Sequence, residues 1–188
     1  LGLGISTLSA LLVGLVLGAL PPIRATFGPL VTGIAVIPPI ALLPILFIAF
    51  GLGEAAKVAL IVIGIAPFMI RDVAAHVATL PREQIIKAQT LGAGSWQLML
   101  RVALPQAMPR LIQAMRLSLG PAWGFLISAE AIASDTGLGY RIFLVRRYLS
   151  MDIILPYVAW IALLAVSMDF ILTFTSRRLY PWAHGAGH

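Results

Sequence analysis

The sequence predicts an all-α protein that crosses a membrane several times, and three observations support this fold class. Hydrophobic residues make up 60% and charged residues 11% of the 188 residues, and the mean hydropathy is +0.99. A soluble domain has about 45–50% apolar and about 25% charged residues. The apolar residues form long runs, and cations cluster at the ends of those runs. Helices satisfy their own backbone hydrogen bonds in lipid, so the runs are predicted to be helical spans.

Five apolar runs are predicted to be transmembrane helices, because about 20 helical residues cross the hydrocarbon core of a bilayer. They are Leu1–Leu20, Leu30–Phe50, Leu52–Ile70, Leu111–Ala133 and Ile153–Phe174. A further span upstream would place both termini on one side of the membrane, and we expect six spans in the intact chain.

Prolines predict that two of the spans are not straight. The second span contains Pro38, Pro39 and Pro44, so it should be kinked or broken. The carbonyls that such a break frees are tolerated only against protein or a water-filled cavity, which makes Pro38 and Pro39 candidates for lining a pathway. The fourth span is predicted to kink at Gly120-Pro121.

The segment Pro81–Pro109 is the longest polar-rich stretch and predicts two short helices joined by a glycine turn. Pro81 suits a first helical position, and Gly92 is expected to stop the first helix in a left-handed conformation. Ser95 is expected to cap a second helix that ends at Leu104-Pro105. A helix-turn-helix of this kind between spans predicts a membrane-surface element that meets a partner.

The distribution of cations predicts the orientation in the membrane and explains the formal charge of +6 without nucleic acid as a partner. If the two-helix loop is inside, nine cations are inside: Arg24, Arg71, Arg82, Lys87, Arg101, Arg110, Arg116, Arg177 and Arg178. Four are outside: Lys57, Arg141, Arg146 and Arg147. The excess of inside cations favours this orientation, with a cytoplasmic C-terminus.

Three carboxylates lie within predicted spans: Glu54 at the outer end of the third span, Glu130 and Asp169. Glu130, which follows Ser128 near the outer end of the fourth span, either faces a pathway or caps and pairs locally. Its candidate partners are Arg141, Arg146 and Arg147, which also form a candidate surface for an anion or an acidic docking protein. Asp169 is expected to pair with a nearby cation, for which Arg116 is the candidate. Trp123 either lines a pore or packs within the bundle.

No motif for catalysis or phosphate binding occurs in the sequence. The G-x-x-x-x-G-K-[ST] loop is absent, so the chain is not expected to bind ATP phosphates by that means. The three histidines form no H-E-x-x-H or comparable cluster, and the absence of cysteine excludes disulfides and thiolate metal sites. The sequence therefore predicts a protein that is not an enzyme and holds no metal.

A longer pattern runs through the helix pair: Lys87-Ala88-Gln89, then Gly92-Ala93, then Val102-x-Leu104-Pro105. It resembles the E-A-A-x-x-x-G…I-x-L-P signature of the permeases of binding-protein-dependent ABC importers. Further stretches along the chain resemble the nitrate, sulfonate and taurine branch of that family: Ile37–Pro44, Phe50–Glu54, Ala129-Glu130 and Ser134–Tyr140.

The resemblance implies one transmembrane permease domain over residues 1–188 with the type I importer fold, in a bacterial inner membrane. It implies a cytoplasmic coupling loop (residues 81–105) and a periplasmic loop (residues 134–152). The implied partners are a second permease copy, cytoplasmic ABC ATPases that hold ATP and Mg, and a periplasmic solute-binding protein. The chain itself is expected to bind no cofactor, and the solute is expected to be a small nitrate-, sulfonate- or taurine-like anion.

Two departures from the signature accompany this resemblance. In this alignment, Lys87 takes the place of the leading Glu and Gln89 the place of the second Ala, which changes the charge offered to an ATPase.

The alternative function is a stand-alone channel or ion-gradient-driven carrier, because broken spans and intramembrane carboxylates suit such proteins as well. The sequence shows no second half of related hydropathy, and a carrier has no use for a docking loop.

Overall fold

Helices form almost the whole chain in the computed structural model, which describes residues 1–134, 136–146, 148 and 151–183. Within these residues there is no β-strand. The α-helices are α1 (Gly2–Ala19), α2 (Pro21–Val36), α3 (Leu43–Phe50), α4 (Glu54–Ala78), α5 (Arg82–Thr90), α6 (Ser95–Leu98), α7 (Leu104–Leu117), α8 (Leu119–Ala133), α9 (Leu138–Arg146) and α10 (Met151–Leu179). A 3₁₀ turn, Pro39–Leu42, precedes α3, and a π turn, Met99–Ala103, joins α6 to α7.

The bundle is built around the contact between α1 and α4, which is the largest helix interface. Glycines allow the close approach: a Cβ added at Gly14 would lie 2.9 Å from the Cβ of Val73, and one at Gly18 would lie 2.5 Å from the Cβ of Val77. Lipid is as apolar as the side chains, so close van der Waals contact is what holds such helices together. Helix α7 adds Ala107 to the same core.

Three helices, α1, α4 and α10, are long and apolar enough to cross a membrane. Helices α2 and α3 pass the same test as a pair bent by 83°, so the described residues contain up to four spans by length and composition. The second predicted span is thus a broken pair, as its prolines indicated. The count falls below five because the fourth predicted span, Leu111–Ala133, is divided between α7 and α8.

The division between α7 and α8 lies at Ser118 rather than at the predicted Gly120-Pro121. In a helix the proline ring crowds the carbonyl four residues earlier, and the missing N–H leaves that carbonyl unbonded. For Pro121 this carbonyl belongs to Leu117, the last residue of α7. The interruption therefore precedes the proline by one turn.

Several predicted boundaries are corrected. The second predicted span was expected to begin at Leu30, but α2 begins at Pro21, in the first turn where proline is favoured, and so includes Arg24. The third predicted span, Leu52–Ile70, is extended at its C-terminal end to Ala78, and the fifth reaches Leu179. Residues 134–152, predicted as a loop, contain α9.

Candidate functional site

The turn after α5 is a Schellman motif centred on Gly92. Gly92 has φ of 83°, as predicted, and its N–H donates to the carbonyl of Gln89 at 2.9 Å. The N–H of Ala93 donates to the carbonyl of Ala88 at 3.0 Å. These two bonds satisfy carbonyls that the end of a helix otherwise leaves without partners. The residues of the signature thus have a structural role, which is to end α5 and reverse the chain.

The spacing of this motif also corrects the alignment of the signature. In E-A-A-x-x-x-G the second Ala precedes the Gly by four residues, which is the separation of Ala88 from Gly92. The leading Glu therefore corresponds to Ile86 and the first Ala to Lys87, so the predicted assignment of Lys87 to the Glu is wrong by one residue. Gln89 then stands at a variable position. The chain lacks the carboxylate of the signature and carries a cation at the next residue.

The second helix of the pair begins and ends differently from the prediction. Gly94, not Ser95, is the N-cap of α6, and the Gly94 N–H donates to Oε1 of Gln97 at 3.2 Å. The π turn follows, in which the Leu104 N–H donates to the carbonyl of Met99. Pro105 offers no N–H and would crowd an α-helical carbonyl, and the wider π turn relieves that crowding. The chain therefore passes Leu104-Pro105 without a break and continues as α7.

Within the predicted coupling loop (residues 81–105), the part formed by α5, the Gly92 turn and α6 projects from the bundle as an exposed surface. No residue of α5 or α6 is buried. Leu91 is 88% and Trp96 66% exposed, although this segment is too polar to lie in lipid. The amide of Gln106 donates to Oε1 of Gln84 and ties the loop to α7. The loop is an ordered helix pair with uncovered apolar side chains, a combination that marks a protein contact surface.

The candidate pathway residues lie on the bent pair and on α8. Pro38 is the N-cap of the 3₁₀ turn. Pro39 packs inward against Gly64 of α4: a Cβ added at Gly64 would lie 2.9 Å from the Cγ of Pro39 and 2.5 Å from the Cε2 of Phe125. This crossing brings the break of the second predicted span against α4 and α8. Trp123 and Ser128 are partly buried on α8 and lie five residues apart, on different sides of the helix.

Glu130 has a local partner, but not the predicted one. Its residue is 8% exposed, and its Oε1 lies 3.9 Å from the Nζ of Lys57, which is 5% exposed. Lys57 also pairs with Glu54 of its own helix at 2.8 Å. The Oε2 of Glu130 accepts the N–H of Gly139 at 2.8 Å, in the first turn of α9. This cluster, which we call the outer junction, fastens α4, α8 and α9 together.

The described arginines of α9 are not gathered into one site. Arg141 and Arg146 lie five residues apart on one helix and so face different directions. The Arg146 guanidinium lies 5.4 Å from the ring centroid of Phe143. Arg147 lies outside the described residues. Neither described arginine pairs with Glu130, whose charge is met by Lys57.

Two bidentate ion pairs connect helices near the other end of the bundle. Arg116 donates to both carboxylate oxygens of Asp169, at 2.7 and 2.9 Å, which confirms the predicted pairing. Arg110 donates in the same way to Asp72, with 2.7 Å from its Nε. This second pair was missed, because Asp72 lies beyond Ile70, the predicted end of the third span, whereas α4 continues to Ala78. A cavity of about 530 Å³ adjoins both arginines and His76.

The outer junction yields a first prediction. Gly139→Ala is expected to separate α9 from α8, because the added Cβ would lie 2.6 Å from the carbonyl oxygen of Ile127 and 3.0 Å from the Cβ of Glu130. The chain has no cysteine, so spin labels on cysteines introduced at exposed Ile132 and Leu144 can report the distance between these helices.

The matched control for that change is Gly53→Ala, where no atom lies within 4 Å of an added Cβ and φ is −93°. We expect a longer and broader distance distribution for Gly139→Ala and an unchanged one for the control. A distribution that stays the same in both variants contradicts the tight contact between α8 and α9.

The described helices and the exposed loop define a multi-pass membrane protein of the permease class. Residues 10–181 match the family of the binding-protein-dependent transport system inner membrane component, and the chain belongs to this family. It is a permease subunit of the ABC transporter class, as the resemblance predicted.

The sequences of relatives in that class align with most of this chain. The taurine transport system permease protein TauC of Escherichia coli is 35% identical over 173 residues, which cover 92% of this chain and 62% of TauC. A probable ABC transporter permease protein of Brucella abortus is 32% identical over 94% of this chain and 71% of its own length. The putative aliphatic sulfonates transport permease protein SsuC of Escherichia coli is 28% identical over 78% of this chain and 56% of SsuC. The chain thus spans less than two thirds of the length of TauC.

The fold is also similar to a solved structure. A chain of the MetNI methionine ABC transporter in an inward-facing conformation superposes with a TM-score of 0.77, covering 95% of this chain and 91% of that chain at 22% identity. This similarity confirms the predicted all-α importer permease fold.

Proposed function

We propose that this chain is the membrane subunit of an ATP-driven importer that admits a small anion of the sulfonate class. The coupling loop is the observation that supports this proposal most directly. The Gly92 turn fixes how its two helices meet, yet the side chains of Leu91 and Trp96 are exposed. A cytoplasmic ABC ATPase is the partner that fits, because the chain contains no phosphate-binding loop of its own. ATP and Mg would then be held by that partner.

A second copy of the chain completes the proposed pathway. Gly120 and Gly124 lie four residues apart on one face of α8, and no atom lies within 4 Å of a Cβ added at either position. Small residues on one face allow two membrane helices to approach closely. The face is open in a single chain, which supports a homodimer with the pore between the copies.

The solute class and the orientation rest on separate arguments. The relatives TauC and SsuC are named for the transport of taurine and aliphatic sulfonates, so a sulfonate is the solute we propose. The excess of cations on the coupling-loop side supports a cytoplasmic location for that loop and for the C-terminus. The segment 134–152 then faces the periplasm, where a solute-binding protein docks.

The test removes the exposed apolar side chains of the coupling loop. We expect Leu91→Ala with Trp96→Ala to lower the amount of P-loop ATPase that co-purifies with the permease in mild detergent by about tenfold or more, since large buried anchors dominate such contacts. The control is Leu163→Ala with Val166→Ala on α10, which removes exposed apolar surface from a spanning helix.

The control pair should retain the ATPase at the wild-type ratio. Full retention by the loop variant would show that the ATPase does not bind there. Solute uptake driven by an ion gradient with no ATPase in the purified material would instead support the stand-alone carrier.

A further inference from the structure

A groove of about 390 Å³ lies between α1, α2 and α4. Its walls are mainly apolar or small, with Leu17 from α1 and Val31 and Gly28 from α2. Two arginines line the same groove, Arg24 from the first turns of α2 and Arg71 from α4. The groove therefore combines a long apolar surface with two positive charges.

Neither of these two arginines has an anionic partner among the residues that the structure describes. Within the part of the chain that the structure describes, no side-chain hydrogen bond or ion pair involves Arg24 or Arg71. Asp72, which follows Arg71 directly, is turned toward Arg110 and bonded to it in bidentate fashion. The groove differs in this respect from the cavity beside Arg110 and Arg116, whose arginines are each neutralised by an aspartate.

The position of Arg71 along α4 is one at which lipid head groups are expected. Arg71 follows Glu54, at the start of α4, by about 25 Å along the helix axis at 1.5 Å per residue, and the hydrocarbon core is about 30 Å thick. Arg71 is thus close to the far boundary of the core, opposite the outer junction. An unpaired guanidinium at this depth is costly, and such groups pair with an anion or reach for the interface.

We propose that this groove binds an anionic phospholipid, with the phosphate held between Arg24 and Arg71 and an acyl chain along Leu17 and Val31. A guanidinium recognises phosphate oxygens with two parallel hydrogen bonds, so two arginines suffice for one phosphate. Basic pockets between membrane helices are known to bind such head groups. Gly28 keeps the groove open, because only the Cγ of Arg24, at 3.8 Å, lies near a Cβ added there.

The experiment is native mass spectrometry of the permease, extracted in mild detergent and titrated with phosphatidylglycerol. The double variant Arg24→Gln/Arg71→Gln is expected to bind the lipid at least about tenfold more weakly than the wild type. Arg177→Gln/Arg178→Gln is the control, since it removes the same charge from the end of α10, away from the groove. It should bind the lipid as the wild type does.

A second pair of variants tests the shape of the groove without changing charge. Gly28→Leu places a side chain in the groove and is expected to weaken lipid binding to a similar extent. Gly33→Leu on the same helix does not line the groove and should have no effect. The proposal is overturned if Arg24→Gln/Arg71→Gln binds the lipid as tightly as the wild type. It is also overturned if Arg177→Gln/Arg178→Gln loses lipid binding to the same extent as Arg24→Gln/Arg71→Gln.

Two other occupants of the groove are distinguished in the same titration. If glycerol 3-phosphate binds as tightly as phosphatidylglycerol and displaces it, the site serves a free anion and the lipid assignment is wrong. If Gly28→Leu changes the oligomeric state of the permease and leaves lipid binding intact, a second copy covers the groove. That outcome also overturns the proposal.

Discussion

Gly92→Val is expected to leave the permease inserted in the membrane and to lower ATP hydrolysis by the reconstituted complex by about tenfold or more. Gly92 has φ of 83°, a conformation that costs an L-residue roughly 1–2 kcal/mol and a β-branched residue more. Each 1.4 kcal/mol lowers the population of the correct turn about tenfold. The turn is exposed and lies outside the bundle core, so its loss should affect the proposed contact with an ATPase and not the fold.

The control is Gly94→Val, two residues along the same turn. No atom lies within 4 Å of a Cβ added at either glycine, and Gly94 has φ of −74°, which any residue adopts. The two variants therefore add the same side chain to open space and differ in the backbone conformation they must accept. Equal ATP hydrolysis by both would refute the role of the Gly92 turn in coupling.

Glu130→Ala is expected to destabilise the outer junction more than any other single change at that end. Glu130→Ala removes one of the two carboxylates near buried Lys57, which keeps its bond to Glu54, and leaves the Gly139 N–H without its acceptor, at a cost of about 1–3 kcal/mol. At this chain length each 1 kcal/mol shifts the unfolding midpoint by about 2–4 °C, so the apparent midpoint in detergent should fall by at least about 2 °C.

Further variants separate the charge of Glu130 from its hydrogen bond. Glu130→Gln keeps an acceptor for Gly139 and should lower the midpoint less than Glu130→Ala. Lys57→Met combined with Glu130→Gln removes both buried charges and should recover part of the loss. Glu54→Gln is the matched control, because that carboxylate is 82% exposed and should change the midpoint little. A midpoint for Glu130→Ala equal to that of Glu54→Gln would contradict the junction.

Local features of the site could be predicted from the sequence, and long-range ones could not. The stop at Gly92 depends on residues within one turn of it, so the glycine and its spacing were sufficient. The end of the second helix was placed wrongly at Leu104-Pro105, because a π turn accommodates the proline that otherwise marks a boundary. Nearby arginines were the candidate partners of Glu130, since proximity in sequence was the available guide, but Arg141 and Arg146 do not pair with it and Lys57 does.

The sequence alone determined that this protein is a helical membrane protein with a polar two-helix loop, because the length of apolar runs, cation placement and the Gly92 turn are local properties. Only the tertiary structure decided which charges meet. Lys57 and Glu130, or Arg110 and Asp72, come together through the crossing of helices that lie far apart in the chain. The groove of Arg24 and Arg71 likewise exists only where α1, α2 and α4 converge. Such contacts depend on packing angles, which no periodicity in a single sequence specifies.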